Sequence, residues 1–174
     1  MAKAQNQFHA ITNRYLCKGG RMMNKITACL WFKGTAEEAV DYYLSIFPDA
    51  RIIAKSYYPH EGLLDFQQPF AGKVLTIHFE LFNQQYLAIN AGDEFTFNES
   101  VSFNIACKDQ QEIDYYWDAL TKNGGEESVC GWCKDKYGLS WQINPENMQN
   151  LTAAPGAWER LSKMKKIVIE ELKA

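Results

Sequence analysis

The sequence lacks any uninterrupted apolar run near the roughly 20 residues that a membrane-spanning helix requires, so no such helix is expected. It also lacks a basic stripe alternating with aromatic residues. Lys and Arg number 18 against 21 Asp and Glu, a formal net charge of −3, and nucleic acid is not an expected partner. Histidine is scarce: His9, His60 and His78 stand far apart, and no HxxxH pair offers a ready-made metal site. Cysteine is present five times, an odd count without an extracellular disulfide framework, which points to a reducing, cytoplasmic setting. What is present is a globular composition: 47% hydrophobic and 14% aromatic residues over 174 positions are enough for a sizeable core and leave little room for long disorder.

Residues 1–24 carry Lys3, Arg14, Lys18 and Arg21 but no acidic residue. The bias admits a transit peptide, whereas a secretory signal is excluded by the missing apolar centre. The simpler expectation is an extension upstream of a start at Met22 or Met23. Organisation begins at Thr35–Phe47, TAEEAVDYYLSIF. Thr35 and Glu38 have capping-box spacing, with the hydroxyl expected to accept from the first turn. Ala36, Ala39, Val40, Tyr43, Leu44 and Phe47 recur at helical spacing, and Pro48 stops the helix. Asp109–Leu120, DQQEIDYYWDAL, repeats the pattern, with Asp109 and Glu112 as the box and Asn123-Gly124-Gly125 as the stop.

Short apolar strands precede both helices, at 26–32 and 101–107. Further strands are expected at 50–58, 73–81 and 85–91, the last two joined around Asn83-Gln84, and at 126–130, 132–134 and 140–144. The loop 59–72, with two Pro and two Gly, has the length of a lid or binding loop. Each half therefore reads β-α-β-β-β. A short helix is expected over 146–151. A longer one opens at Pro155 and turns Trp158, Leu161, Met164, Val168 and Leu172 to one side.

The segments Leu30-Trp31-Phe32 with Ala36-Glu37-Glu38-Ala39, Asn90-Ala91-Gly92, Cys130-Gly131-Trp132, Lys134–Ile143 and Lys163–Ile167 occur in an order that resembles the PhnB-like branch of the vicinal oxygen chelate superfamily. This branch is sometimes labelled "3-demethylubiquinone-9 3-methyltransferase". The resemblance covers about residues 25–170. It implies an α+β fold in which two βαβββ modules form a curved mixed sheet around a cleft, with helices on the outer face and C-terminal helices added. It also implies a homodimer. The expected layout is an extension over 1–24, a domain over 25–146 (module one 25–91, module two 101–145) and a helical tail over 147–174. The methyltransferase label is not expected to describe the activity: S-adenosylmethionine binding in the usual α/β fold needs a Gly-rich turn after a first parallel strand, and Gly34, Gly72, Gly92 and Gly124-Gly125 do not form one.

Metal-using relatives place His and Glu ligands on inner strands. Carried over, those places fall on Ala28, Ser102, Gln142 and a fourth near Ile89 or Asn90. Ala cannot coordinate, and Ser and Gln are poor ligands, so no tight metal and no other cofactor is expected, with room only for a weakly held divalent ion. Strand alternation sets Leu75, Ile77, Phe79 and Leu81 opposite Thr76, His78 and Glu80, and Trp141 and Ile143 opposite Ser140, Gln142 and Asn144. With Asn90, Ser102 and Asn104, the polar set forms either an ordinary solvated face or the wall of a small-molecule pocket. His78, titrating near neutrality, is the candidate general base, although a lone strand histidine is more often structural. Glu80 would pair with it or join a weak metal site. His60, in the long loop, either closes over a ligand or is solvated.

Cys130-Gly131-Trp132-Cys133 fits neither a redox motif, which wants a helix N-terminus, nor a zinc site, which wants two more ligands. Trp132 is expected to wall the pocket with Cys130 beside it, core packing being the ordinary reading of each. Two functions follow as expectations. One is binding of a small polar or aromatic molecule by Thr76, Asn90, Ser102, Asn104, Cys130, Trp132 and Gln142. The alternative is a lyase, isomerase or hydrolase using His78 and Glu80.

Overall fold

A computed structural model describes residues 25–173; expectations for 1–24 lie outside the described residues. The chain is α+β, with two four-stranded sheets of matching strand order. In the first half β1 (Ala28–Lys33), α1 (Ala36–Ile46), β2 (Arg51–Tyr57), β3 (Val74–Leu81) and β4 (Gln84–Ala91) give the order β1-β4-β3-β2. In the second half β5 (Ser102–Cys107), α2 (Gln110–Thr121), β6 (Glu126–Glu127), β7 (Trp132–Lys134) and β8 (Ser140–Pro145) give β5-β8-β7-β6. Position for position this is one βαβββ pattern used twice. Three short helices follow, α3 (Met148–Thr152), α4 (Ala157–Lys163) and α5 (Ile169–Lys173). The described residues cluster into two compact units, one reaching Leu30 and resuming over Thr35–Ala91, the other formed by Trp31–Gly34 and the chain from Gly92 onward.

Within the first unit, α1 lays Ala36, Ala39, Val40, Tyr43 and Ile46 against the sheet. Tyr43 stacks on Phe79 with centroids 6.3 Å apart, and Ile77 and Phe79 are fully buried. The expected cap at Thr35 is absent, since its side chain makes no capping bond. The Ala36 N–H instead donates to Asn90 Oδ1 at 3.1 Å, a partner supplied by β4. The hairpin turn is Phe82-Asn83 rather than Asn83-Gln84. Leu81 pairs with Gln84, and both turn residues have positive φ (47° and 63°), the geometry of a type I′ turn that suits strand twist. Within the long loop, Asp65–Phe70 forms a 3-10 helix.

Within the second unit, Asp109 caps α2 as its spacing predicts: Asp109 Oδ1 accepts from Glu112 N at 2.9 Å, and Glu112 reaches back to Lys108 N at 2.8 Å. Strand β5 pairs β8 in parallel, and β8 pairs β7 antiparallel. Two expectations here need correction. The strand over 126–130 shrinks to Glu126–Glu127, and the single helix after Pro155 is two helices with a break at Met164. One set of bonds joins the two places. Cys130 and Gly131 turn left-handed (φ 58° and 80°), and their N–H groups donate to Met164 O and Lys165 O, each at 2.8 Å. These bonds hold the tail against the turn where Met164 is extended, and the helix restarts at Ile169. Trp158, expected on the buried side, is 68% exposed, whereas Leu161, Met164, Ile167 and Leu172 are buried.

A candidate binding pocket in the second unit

The β5-β8-β7 register sorts the second unit's side chains into two faces. Phe103, Ile105, Trp141, Ile143 and Cys133 alternate with Ser102, Asn104, Ser140, Gln142, Trp132 and Lys134. On the second face Ser102, Ser140 and Lys134 form one row and Asn104, Gln142 and Trp132 the next, because paired residues of neighbouring strands point the same way. The rows are cross-linked: Gln142 Nε2 donates to Ser102 Oγ at 2.8 Å, and Asn144 Nδ2 to Asn104 Oδ1 at 2.6 Å.

A pocket of about 470 Å³ opens where β6 and β7 meet β8. Trp132, Lys134, Ser140 and Cys130 line it, together with Glu99, Glu126 and Glu127. Ser140 is 1% exposed, and its Oγ makes no hydrogen bond within the chain. Buried hydroxyls in folded proteins nearly always have a partner, so an open one on a residue that lines a pocket is a position for a ligand atom. Cys130 is half-buried and sits in the left-handed region that non-glycine residues seldom occupy. Its neighbour Gly131 has no such freedom to change: a Cβ there would come within 2.9 Å of Ile143 O. Cys133 is walled into the core, and burial pushes its thiol up to about 12, as it does that of Cys107. A dithiol pair in which one member stays protonated is ill suited to redox exchange.

The turn leading into β8 is organised by Asp135. It is 2% exposed; its Oδ1 accepts from Tyr137 N at 2.9 Å and Leu139 N at 3.1 Å, and its Oδ2 from Trp141 Nε1 at 2.9 Å. The carboxylate thereby fixes the start of β8 and the presentation of Ser140. The Asp–x–x–Gly run followed by Trp was the available signal.

The first unit's polar face is arranged differently. Thr76, His78 and Glu80 do share a face of β3, but all three are buried and engaged by neighbouring strands. Thr76 Oγ1 and Ser56 Oγ are 2.6 Å apart, and Arg51 Nη2 and Nε donate to Glu80 Oε1 at 2.7 and 3.1 Å. Burial lowers the His78 pKa below the ordinary imidazole value, against the opposing pull of a hydrogen bond with Gln85 and of Glu80's charge. Asn90, beyond Ala36, donates from Nδ2 to Val74 O at 3.0 Å, so both ends of its amide serve the backbone. His60 lies exposed in the loop, its ring against Gly72.

The four places that would hold a chelated cation in metal-using relatives fit one poorly. Ala28 has no donor, Ser102 and Gln142 bond each other, and Asn90 is occupied by Ala36 and Val74. Among the described residues, no three His, Cys, Asp or Glu side chains gather in a metal-binding group.

Repetition of the βαβββ pattern, with an identical strand order in each sheet, defines the duplicated class to which vicinal oxygen chelate proteins belong. Residues 24–144 match the family model described as 3-demethylubiquinone-9 3-methyltransferase, and the chain belongs to that family, the PhnB-like branch of the superfamily. Among solved structures it is similar to a putative 3-demethylubiquinone-9 3-methyltransferase, PhnB protein, from Bacillus cereus. That likeness has 31% identity and TM-score 0.60, covering 70% of this chain and 99% of that one. Protein PA1353 from Pseudomonas aeruginosa shares the fold at 16% identity and TM-score 0.55, covering 71% of this chain and 98% of that one. No curated protein sequence matches. Among the described residues, no helix is long and apolar enough to cross a membrane.

Proposed function

We propose that the chain binds a small polar or aromatic molecule in the second unit's pocket, without a tightly held metal and without transferring methyl groups. The observation that carries this reading is Ser140, a residue that lines a pocket of about 470 Å³ and whose buried Oγ has no hydrogen bond in the chain. Trp132 supplies an aromatic surface beside it, and the Ser102–Gln142 pair continues the polar row. The places expected for a chelated ion hold an alanine and amides that bond within the fold, which argues for binding through hydrogen bonds and ring contacts.

Saturation-transfer NMR with a library of small polar aromatic fragments tests the reading. Fragments that bind the native chain should lose contact in Ser140→Val, which keeps β-strand shape and removes the hydroxyl. Fragments indifferent to Ser140→Val and to Trp132→Leu would overturn it. Measurable affinity for S-adenosylmethionine by calorimetry would overturn the statement on methyl transfer. A homodimer belongs to the same proposal, and a purely monomeric sedimentation profile at micromolar concentration would remove it.

One observation favours the alternative, a lyase, isomerase or hydrolase with His78 as base. Burial holds its imidazole neutral at physiological pH, the form a base requires. A reaction abolished by His78→Ala, with ligand affinity unchanged, would select this reading.

A further inference from the structure

We infer that the second unit's pocket selects an organic cation, an ammonium group carried on a flat apolar body; this rests on the binding role proposed for the same pocket. Three acidic residues, Glu99, Glu126 and Glu127, line the pocket together with Lys134. The Lys134 ammonium is already matched: it forms an ion pair with Glu99, which raises the Lys134 pKa and lowers that of Glu99, so both stay charged and cancel. Glu127 is held ionised by Trp117 Nε1 at 3.1 Å and is likewise matched, by an ion pair with Lys165 Nζ at 3.3 Å, which leaves Glu126 as the one unmatched acid of the three. Glu126 forms no ion pair among the described residues and stands beside Lys134 in the β6–β7 ladder. The uncompensated charge at the pocket is therefore negative.

The remaining groups suit the same class of ligand. Ser140 Oγ can accept an N–H from an ammonium, although a hydroxyl can equally donate and does not itself select the charge. The Trp132 ring offers a π face, which attracts a cation within about 6 Å of its centroid. An anion would meet the like charge of the exposed Glu126 carboxylate.

Three probes with one phenyl body and different charge separate the possibilities: 2-phenylethylamine, 2-phenylethanol and 3-phenylpropionate, titrated calorimetrically into the full chain. The amine should bind on the order of ten-fold tighter than the alcohol, and the carboxylate more weakly than either. Its advantage should shrink as salt is raised, because exposed charges are screened. Glu126→Gln, on an exposed two-residue edge strand, should weaken the amine several-fold and leave the alcohol unchanged. Equal binding of amine and carboxylate, or an amine affinity untouched by Glu126→Gln, overturns the inference. If the neutral or anionic probe binds best and Ser140→Val removes it, the binding role stands and the cation preference falls. If none of the three binds, both fall.

Discussion

Asn90 holds the first turn of α1 from a strand 54 residues away, accepting Ala36 N–H on Oδ1 at 3.1 Å while donating Nδ2–H to Val74 O at 3.0 Å. Asn90 is 5% exposed, and Tyr58 OH donates to its backbone carbonyl at 2.8 Å, so helix, loop and sheet meet at one residue. Asn90→Ala strips two buried backbone groups of their partners. Each costs about 1–3 kcal/mol when left unsatisfied, so a loss of about 2–4 kcal/mol is expected in urea unfolding. Asn90→Asp should not recover it, because a carboxylate has no hydrogen to give Val74 O.

Asp135→Asn is expected to destabilise by about 2–4 kcal/mol, since an amide can present only one acceptor oxygen where three N–H groups converge on two. Unfolding midpoints measure the loss. Affinity for a pocket ligand should fall with it, through the displaced start of β8. An unchanged midpoint would mean that the turn does not depend on the carboxylate.

His78 makes stability depend on pH in a defined direction. Its folded pKa is lowered, so on acidification the unfolded chain takes up a proton before the folded one does. Stability is full above the ordinary value of 6.5 and falls as pH drops through it towards the lowered folded value. Urea midpoints between about pH 8 and pH 5, above the range where carboxylates titrate, should decline on the acid side. His78→Asn should flatten that decline.

Gln110 clasps the tail: Nε2 donates to Ile167 O at 3.0 Å, and Oε1 accepts from Ile169 N at 2.9 Å. Gln110→Ala should open the last helix with a local cost of about 1–3 kcal/mol. The readouts are faster amide exchange over 167–173 and earlier tryptic cleavage at Lys165 and Lys166. Unchanged exchange would show that Leu161, Ile167 and Leu172 hold the tail by packing alone.

What the sequence made legible was local. The helical stripes, the period-two alternation of β3, β5 and β8 and the Asp109 cap depend on residues within one or two turns, and all appear in the structure. What it hid was long-range. Thr35 has the right spacing for a cap, but Asn90 supplies it. The stripe from Trp158 to Leu172 scans as one helix, yet Cys130 and Gly131, more than 30 residues earlier, bond the backbone where it breaks. At the pocket, alternation placed Ser102 and Gln142 on the Ser140 face, and the resemblance pointed to Trp132 and Cys130. Glu99 and Glu126 went unnoticed because they come from a connector and a two-residue strand with no periodicity to read. Asn90 was drawn into the candidate set by its polarity and by its place near a ligand position of metal-using relatives, neither of which can distinguish an amide that faces a ligand from one that bonds its own backbone.

The match to the family model ends at residue 144, but the polypeptide does not become dispensable there. A fragment trimmed to the matched stretch would strip the amides of Cys130 and Gly131 of their acceptors, directly before Trp132. Anyone expressing a minimal version should carry the tail through Leu172, since the matched stretch ends before the backbone groups that complete this turn.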